Sequence, residues 1–159
     1  MTRIFLLVAL LCGLPARADE FLDSSSRGAG PNLRSSIAVV NMRSLDFAET
    51  FQGDPSETIR PARGGAENSA LFLIEGRPYA SVIVLIPDDT VILSSDSRES
   101  GRKTLRVRGL VSLPEAGLPF TLNAKGLGSV SVGGTREAIL NNQAAGSYEG
   151  RFFVTVMYQ

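Results

Sequence analysis

Between residue 35 and the C-terminus, short apolar runs alternate with glycine, proline and aspartate, and no apolar stripe repeats at helical spacing over three turns. Strands bounded by regular turn residues predict an all-β protein, an immunoglobulin-like antiparallel β-sandwich. Its strands are expected at 37–40, 45–47, 58–60, 70–75, 81–86, 90–93, 104–113, 129–132, 135–140 and 151–158. The turns between them have explicit chemistry. Gly76-Arg77-Pro78 joins the two strongest runs, and Pro87-Asp88-Asp89 precedes 90–93. Gly133-Gly134 predicts a tight hairpin, because both glycines reach positive φ without steric cost. Along 104–113, alternation places Leu105, Val107, Val111 and Leu113 on one face.

An antiparallel sandwich strand ordinarily has one wet face, and two runs here do not. In 81–86, Val82, Val84 and Ile86 oppose Ile83 and Leu85; in 151–158, Phe152, Val154, Val156 and Tyr158 oppose Phe153 and Met157. Either loops of the same chain cover the second face or a neighbouring subunit does, since large exposed apolar patches mark interaction sites. Phe152, Val154, Val156 and Tyr158 are therefore the candidate assembly strand.

The start of the chain has another character. Arg3 is followed by an apolar run, 4–14, which Pro15 ends; Ala16-Arg17-Ala18 then offers an A-x-A cleavage pattern before Asp19. Positive start, apolar run and small-residue site, in that order, predict an export signal at 1–18. The run is shorter than the roughly 20 apolar residues a membrane span needs, so no transmembrane segment is expected after cleavage. Residues 19–33, rich in Ser, Gly and Pro, read as a flexible polar lead-in, and 34–159 as the sandwich domain. Cys12 follows Leu11 rather than a small residue, which argues against a lipidated start. It departs with the signal, leaving a mature chain with neither thiol nor disulfide.

Composition narrows the function classes. The chain has 159 residues, 43% hydrophobic and 20% charged, with 16 basic against 16 acidic residues. Loss of Arg3 and Arg17 takes the basic count to 14 and the net charge to −2. That balance supplies no general attraction for nucleic acid, so no nucleic-acid partner is expected. The sequence contains no His, which removes the commonest proton shuttle and metal ligand. No metal or cofactor is expected.

Four groupings resemble chemistry. Ser100-Gly101-Arg102-Lys103 matches S-x-x-K, whose nucleophile needs its Lys one helical turn away; here the motif lies in a polar loop entering a strand. Asp88 and Asp89, with Asp96 or Glu99, offer hard oxygen ligands, but Pro-Asp-Asp is also ordinary turn chemistry and no spaced Asp-x-Asp-x-Asp loop exists. Gly126-Leu127-Gly128 lacks the Lys and helix of a phosphate loop. Arg102, Arg106 and Arg108 share the outward face of one strand with Thr104. This is either an anion-binding face, since guanidinium forks suit phosphate and carboxylate, or a solvated stripe that keeps a sheet edge from aggregating.

From residue 70 onward the chain resembles the bacterial family known as domain of unknown function 4402. The resemblance rests on the apolar strand ending at Gly76, the strand closed by Pro87, and Val132-Gly133-Gly134-Thr135. It continues through Asn142-Gln143-Ala144-Ala145-Gly146-Ser147-Tyr148-Glu149-Gly150 and the ending Phe153-Val154-Thr155-Val156-Met157-Tyr158. Residues 36–47 look like the family's first strand pair. Arg136 departs from the pattern, which commonly has Leu there; a disturbance of the hairpin is the expected consequence. The resemblance implies export and a β-sandwich, and no activity.

The ending is also similar to chaperone–usher pilins and spore-coat U-like pilins, with a penultimate aromatic, Tyr158, and Gly146 upstream. In such pilins the final strand contacts the assembly chaperone. Donor-strand pilins need an N-terminal extension with alternating apolar residues, and 19–33 offers only adjacent Phe21 and Leu22, then Leu33.

The expectation is an exported, non-enzymatic structural or interaction protein of the periplasm, outer surface or extracellular space. It would be pilin-like and would associate with itself or with an envelope protein. The alternative is a monomeric periplasmic module that binds an anionic glycan or lipid through the arginine-lined strand.

Overall fold

The computed structural model of the protein describes residues 2–6 and 36–159. Most of the expected signal, Cys12 and the whole of 19–33 lie outside the described residues. Among the described residues there are twelve strands and no helix. They are β1 (Thr2–Leu6), β2 (Ala38–Arg43), β3 (Asp46–Thr50), β4 (Glu57–Ile59), β5 (Ala70–Glu75) and β6 (Ser81–Leu85). There follow β7 (Thr90–Ser94), β8 (Thr104–Leu113), β9 (Pro119–Thr121), β10 (Leu127–Arg136), β11 (Tyr148–Gly150) and β12 (Thr155–Tyr158).

The larger sheet runs β2-β5-β10-β8-β7-β11-β1-β3, with β4 added to β10; the smaller runs β12-β6-β9. Only Ser44 and Leu45 separate β2 from β3, yet the two strands stand at opposite ends of the large sheet's order. The large sheet therefore curls into a half-barrel, and the small sheet packs across it as the second layer of an immunoglobulin-like sandwich. Among the described residues all strand pairings are antiparallel except β1 with β11, and Arg102 and Gln143 form an isolated parallel bridge outside the strands.

Alternation explains the core. Ala70, Phe72 and Ile74 of β5, Val82 and Val84 of β6, Leu105 and Val107 of β8, and Val130 and Val132 of β10 all point inward and are fully buried. Phe152 closes this layer edge-on against Phe72, with centroids 6.2 Å apart and rings at 83°. Such a pair contributes about 0.5–1.5 kcal/mol beyond its buried area.

Several expectations need correction. Gly133-Gly134 is no hairpin turn: β10 runs unbroken from Leu127 to Arg136. The glycines are there for close approach. A Cβ on Gly133 would collide with the carbonyl oxygen of Ile59, and one on Gly134 would press on Leu110 and Val107. The anticipated disturbance at Arg136 is also absent. The side chain is 2% exposed, donates to the carbonyls of Pro55 and Glu137, and lies 3.5 Å from the Glu57 carboxylate.

In β8, Leu105 and Val107 face the core as expected, but Val111 and Leu113 face outward. Gly109 adopts φ +61°, and Gly109 and Leu110 together oppose the single residue Gly134. One extra residue of this kind is a β-bulge, which flips the face of everything after it. Of the expected final strand 151–158, only Thr155–Tyr158 is strand (β12); 151–154 lies outside any strand, and β11 precedes the run at Tyr148–Gly150. β9 was not anticipated, because it opens on a proline and is three residues long.

Candidate interaction surface

The long C-terminal motif turns out to be scaffolding. Gln143 is buried and its side-chain amide donates to Thr104 O, while its backbone carbonyl accepts from Gln52 Nε2. Arg102 N donates to Asn142 O, and Ala144 N to Arg102 O. The buried Tyr148 hydroxyl lies between two carbonyl oxygens, 2.6 Å from Ala144 O and 3.0 Å from Arg102 O. These bonds tie the loop before β8 to the loop before β11, much as a tyrosine corner does in immunoglobulin-like domains.

Tyr158 is held in the same way. Its hydroxyl accepts from Arg77 N at 3.0 Å, and the Arg77 guanidinium stands 4.6 Å above its ring. Gly76 leaves room for that hydroxyl, which a Cβ would meet at 2.7 Å.

The candidate assembly strand presents its faces unequally. Phe152 and Val154 are buried in the core, and Val156 and Tyr158 pack against it. The outward face carries Met157, which pairs in register with Ile83, which in turn pairs with Pro119. Leu85, two residues on from Ile83, faces the same way. Met157 is 43% exposed, Leu85 39% and neighbouring Leu118 54%. The outer face of the β12-β6-β9 sheet therefore carries an apolar strip of Met157, Ile83, Leu85 and Pro119, flanked by Thr155, Ser81 and Thr121. The two-faced patterns of 81–86 and 151–158 signalled Met157, Ile83 and Leu85; Leu118, in the bend just before the unanticipated β9, carried no signal.

The three arginines do not share one strand as expected: Arg106 and Arg108 lie on β8, whereas Arg102 precedes it in an isolated bridge to Gln143. Arg102 Nη2 donates to Glu137 Oε1 at 2.7 Å, and the same oxygen accepts from Arg106 N at 3.0 Å. Glu137 thus sits among them. Arg106 and Arg108 are exposed.

Ser100-Gly101-Arg102-Lys103 forms a bend, not a helical turn, so its Ser and Lys are not stacked as that nucleophile motif requires. Asp89 is held in its turn by Gly109 N, which donates to its carbonyl. Among the described residues no three His, Cys, Asp or Glu side chains cluster in a way that would hold a metal ion. A polar cavity of about 290 Å³ is lined by Ser94, Asp96, Ser147 and Glu149. It lies where β11 meets β7 through the single pair Glu149–Ser94. Asp46 has its carboxyl above the usual range, first through burial and then through the nearby Glu57 carboxylate.

Among the described residues no helix is long and apolar enough to cross a membrane. The fold and its surfaces define an immunoglobulin-like β-sandwich whose motifs brace the scaffold and whose smaller sheet presents an apolar strip on its exterior. The model of the family described as a domain of unknown function (DUF4402) matches residues 41–158, and the chain belongs to that family. No curated protein and no solved structure matches the chain.

Proposed function

We propose that this protein is an exported, non-enzymatic structural or interaction subunit of the bacterial envelope or cell surface, pilin-like in that its sandwiches associate. The observation that supports the reading is the apolar strip on the outer face of the small sheet, where Met157 of β12 and Leu85 of β6 are exposed on paired strands and Leu118 is exposed just before β9. A solvated antiparallel sheet normally carries polar residues there, and a contiguous apolar patch on a folded surface favours association. The alternative, anion binding by the arginine strand, has less support because Glu137 neutralises Arg102 and occupies the ground between it and Arg106.

Cell fractionation of a strain expressing the full chain, followed by light scattering of the purified product over a concentration series, tests the reading. Export with mass growing above one chain is expected. Retention inside the cell, or a concentration-independent monomer, overturns it.

A further inference from the structure

The strand that completes the large sheet is the one that the sequence assigns to a removable signal. β1 lies between β3 and β11. Ile4, Phe5 and Leu6 pair in parallel with Tyr148, Glu149 and Gly150, while Thr2, Ile4 and Phe5 pair antiparallel with Thr50, Phe47 and Asp46. β1 is the only strand partner of β3 among the described residues, and β11 has besides it only the single pair with Ser94. Cleavage after Ala18 would remove β1 and leave two unpaired backbone edges facing one slot. Their N–H and C=O groups then call for a partner. The slot adjoins the core through Phe47 and Tyr148, both buried, and at its far end the buried Thr50 hydroxyl has no hydrogen-bond partner among the described residues.

Charge decides what fits. β3 (Asp-Phe-Ala-Glu-Thr) and β11 (Tyr-Glu-Gly) carry three carboxylates and no Lys or Arg. β1 (Thr-Arg-Ile-Phe-Leu) carries one charge, from Arg3, beside an unbroken apolar run. The lead-in that would remain after cleavage begins Asp-Glu-Phe-Leu-Asp, again three carboxylates. Like charges on neighbouring strands destabilise pairing, so the lead-in of this copy or of another is mismatched to the slot.

Resting on the exported-subunit reading, we infer that the slot between β3 and β11 is a strand-acceptor site. Its occupant is an extended segment of a different protein, apolar and flanked by Lys or Arg, lying parallel to β11 and antiparallel to β3. Main-chain bonds would supply affinity and the buried apolar side chains specificity, as in other strand additions.

The test uses the product purified after expression of the full chain with its own N-terminus. Its intact mass gives the start, and hydrogen exchange reads the amides of Asp46–Thr50 and Tyr148–Gly150. The probe is a synthetic peptide of residues 1–8, compared with its Arg3→Glu form and with a peptide of residues 19–33. A start at Asp19 is expected, with slot amides that exchange freely alone and about tenfold or more slowly with the probe. Arg3→Glu should weaken that protection, and 19–33 should give none.

Retention of residues 2–6, slot amides already protected in the mature monomer, protection by 19–33, or no protection by the probe each overturns the inference. Should the mature product aggregate, Thr-Arg-Ile-Phe-Leu is appended after Gln159 through about fifteen Gly/Ser residues, enough to reach back along β12 and β11. The appended strand should raise Tm above that of its Arg→Glu version; equal Tm overturns the inference. Export with a closed slot removes this inference alone, whereas retention in the cytosol removes the exported-subunit reading as well.

Discussion

The hydroxyl of Tyr148 lies 2.6 Å from the carbonyl oxygen of Ala144, four residues earlier, with both residues buried. The contact closes the loop that leads into β11, and the second carbonyl at 3.0 Å, from Arg102, joins that loop to the entry of β8. Tyr148→Phe keeps the ring in the core and removes only the hydroxyl. Loss of a buried hydrogen bond of this kind costs about 1–2 kcal/mol. A lower urea midpoint with an unchanged m-value is expected, with faster amide exchange at 142–148. An unchanged midpoint would remove the tyrosine's structural role.

Gly133 sits where β10 passes under the backbone of β4. Gly133→Ala forces the new methyl into the Ile59 carbonyl oxygen, and backbone there cannot rotate aside as a flexible side chain would. A loss of about 2–3 kcal/mol is expected, in the range of overpacked cores. Exchange should accelerate at Glu57–Ile59, the strand displaced. Gly117→Ala is the control: its φ of +83° makes any side chain strained, but nothing stands within 4 Å, so a cost of about 1 kcal/mol is expected. Equal costs at the two positions would mean that close approach is not why Gly133 is there.

These two residues show where the fold was legible in sequence and where it was not. Period-two alternation located β5, β6 and the first half of β8, because each has a fully buried face of Val, Leu, Ile or Phe. Glycine was ambiguous. At Gly133 the requirement is absence of a Cβ beneath a neighbouring strand, whereas a hairpin needs positive φ; both call for the same residue, and only the tertiary neighbour separates them. Gly109 hid a bulge for a related reason, since the face of Val111 depends on the partner strand's register. The apolar outer face was foreshadowed by Ile83, Leu85 and Met157. The slot beside β11 was not, because its filling strand falls within the run read as an export signal and its edges, β3 and β11, are short.

Asp46 supplies a pH signature. Its folded-state pKa is raised from the ordinary value of 3.8, by burial foremost and then by Glu57. A raised carboxyl pKa means that the folded state binds the proton more tightly than the unfolded chain does. The associated stability is fully present below 3.8 and is lost as pH rises through the higher folded value. Asp46→Asn should therefore raise stability at pH 7, and its advantage should shrink as pH falls toward 3.8. Urea midpoints of both proteins across pH 3.5–7.5 check this; an advantage that grew on acidification would reverse the assignment.

Association through the small sheet makes the strongest demand on the surface residues. Met157 and Leu85 belong to paired strands and are 43% and 39% exposed. Lysine at either position can carry its amine into water while its stem lies along the sheet, so each change should alter stability by no more than about 0.5 kcal/mol. The double variant Leu85→Lys, Met157→Lys places two cations on a face that must be dry when two subunits meet. Burying an unpaired charge is strongly unfavourable, so light scattering should show mass falling toward a single chain at concentrations where the unmodified protein associates. Arg106→Ala with Arg108→Ala changes the exposed stretch of β8 instead and should leave association intact. If the β8 pair abolishes association while the lysine pair does not, the contact lies on the half-barrel and the apolar exterior of the small sheet has another use.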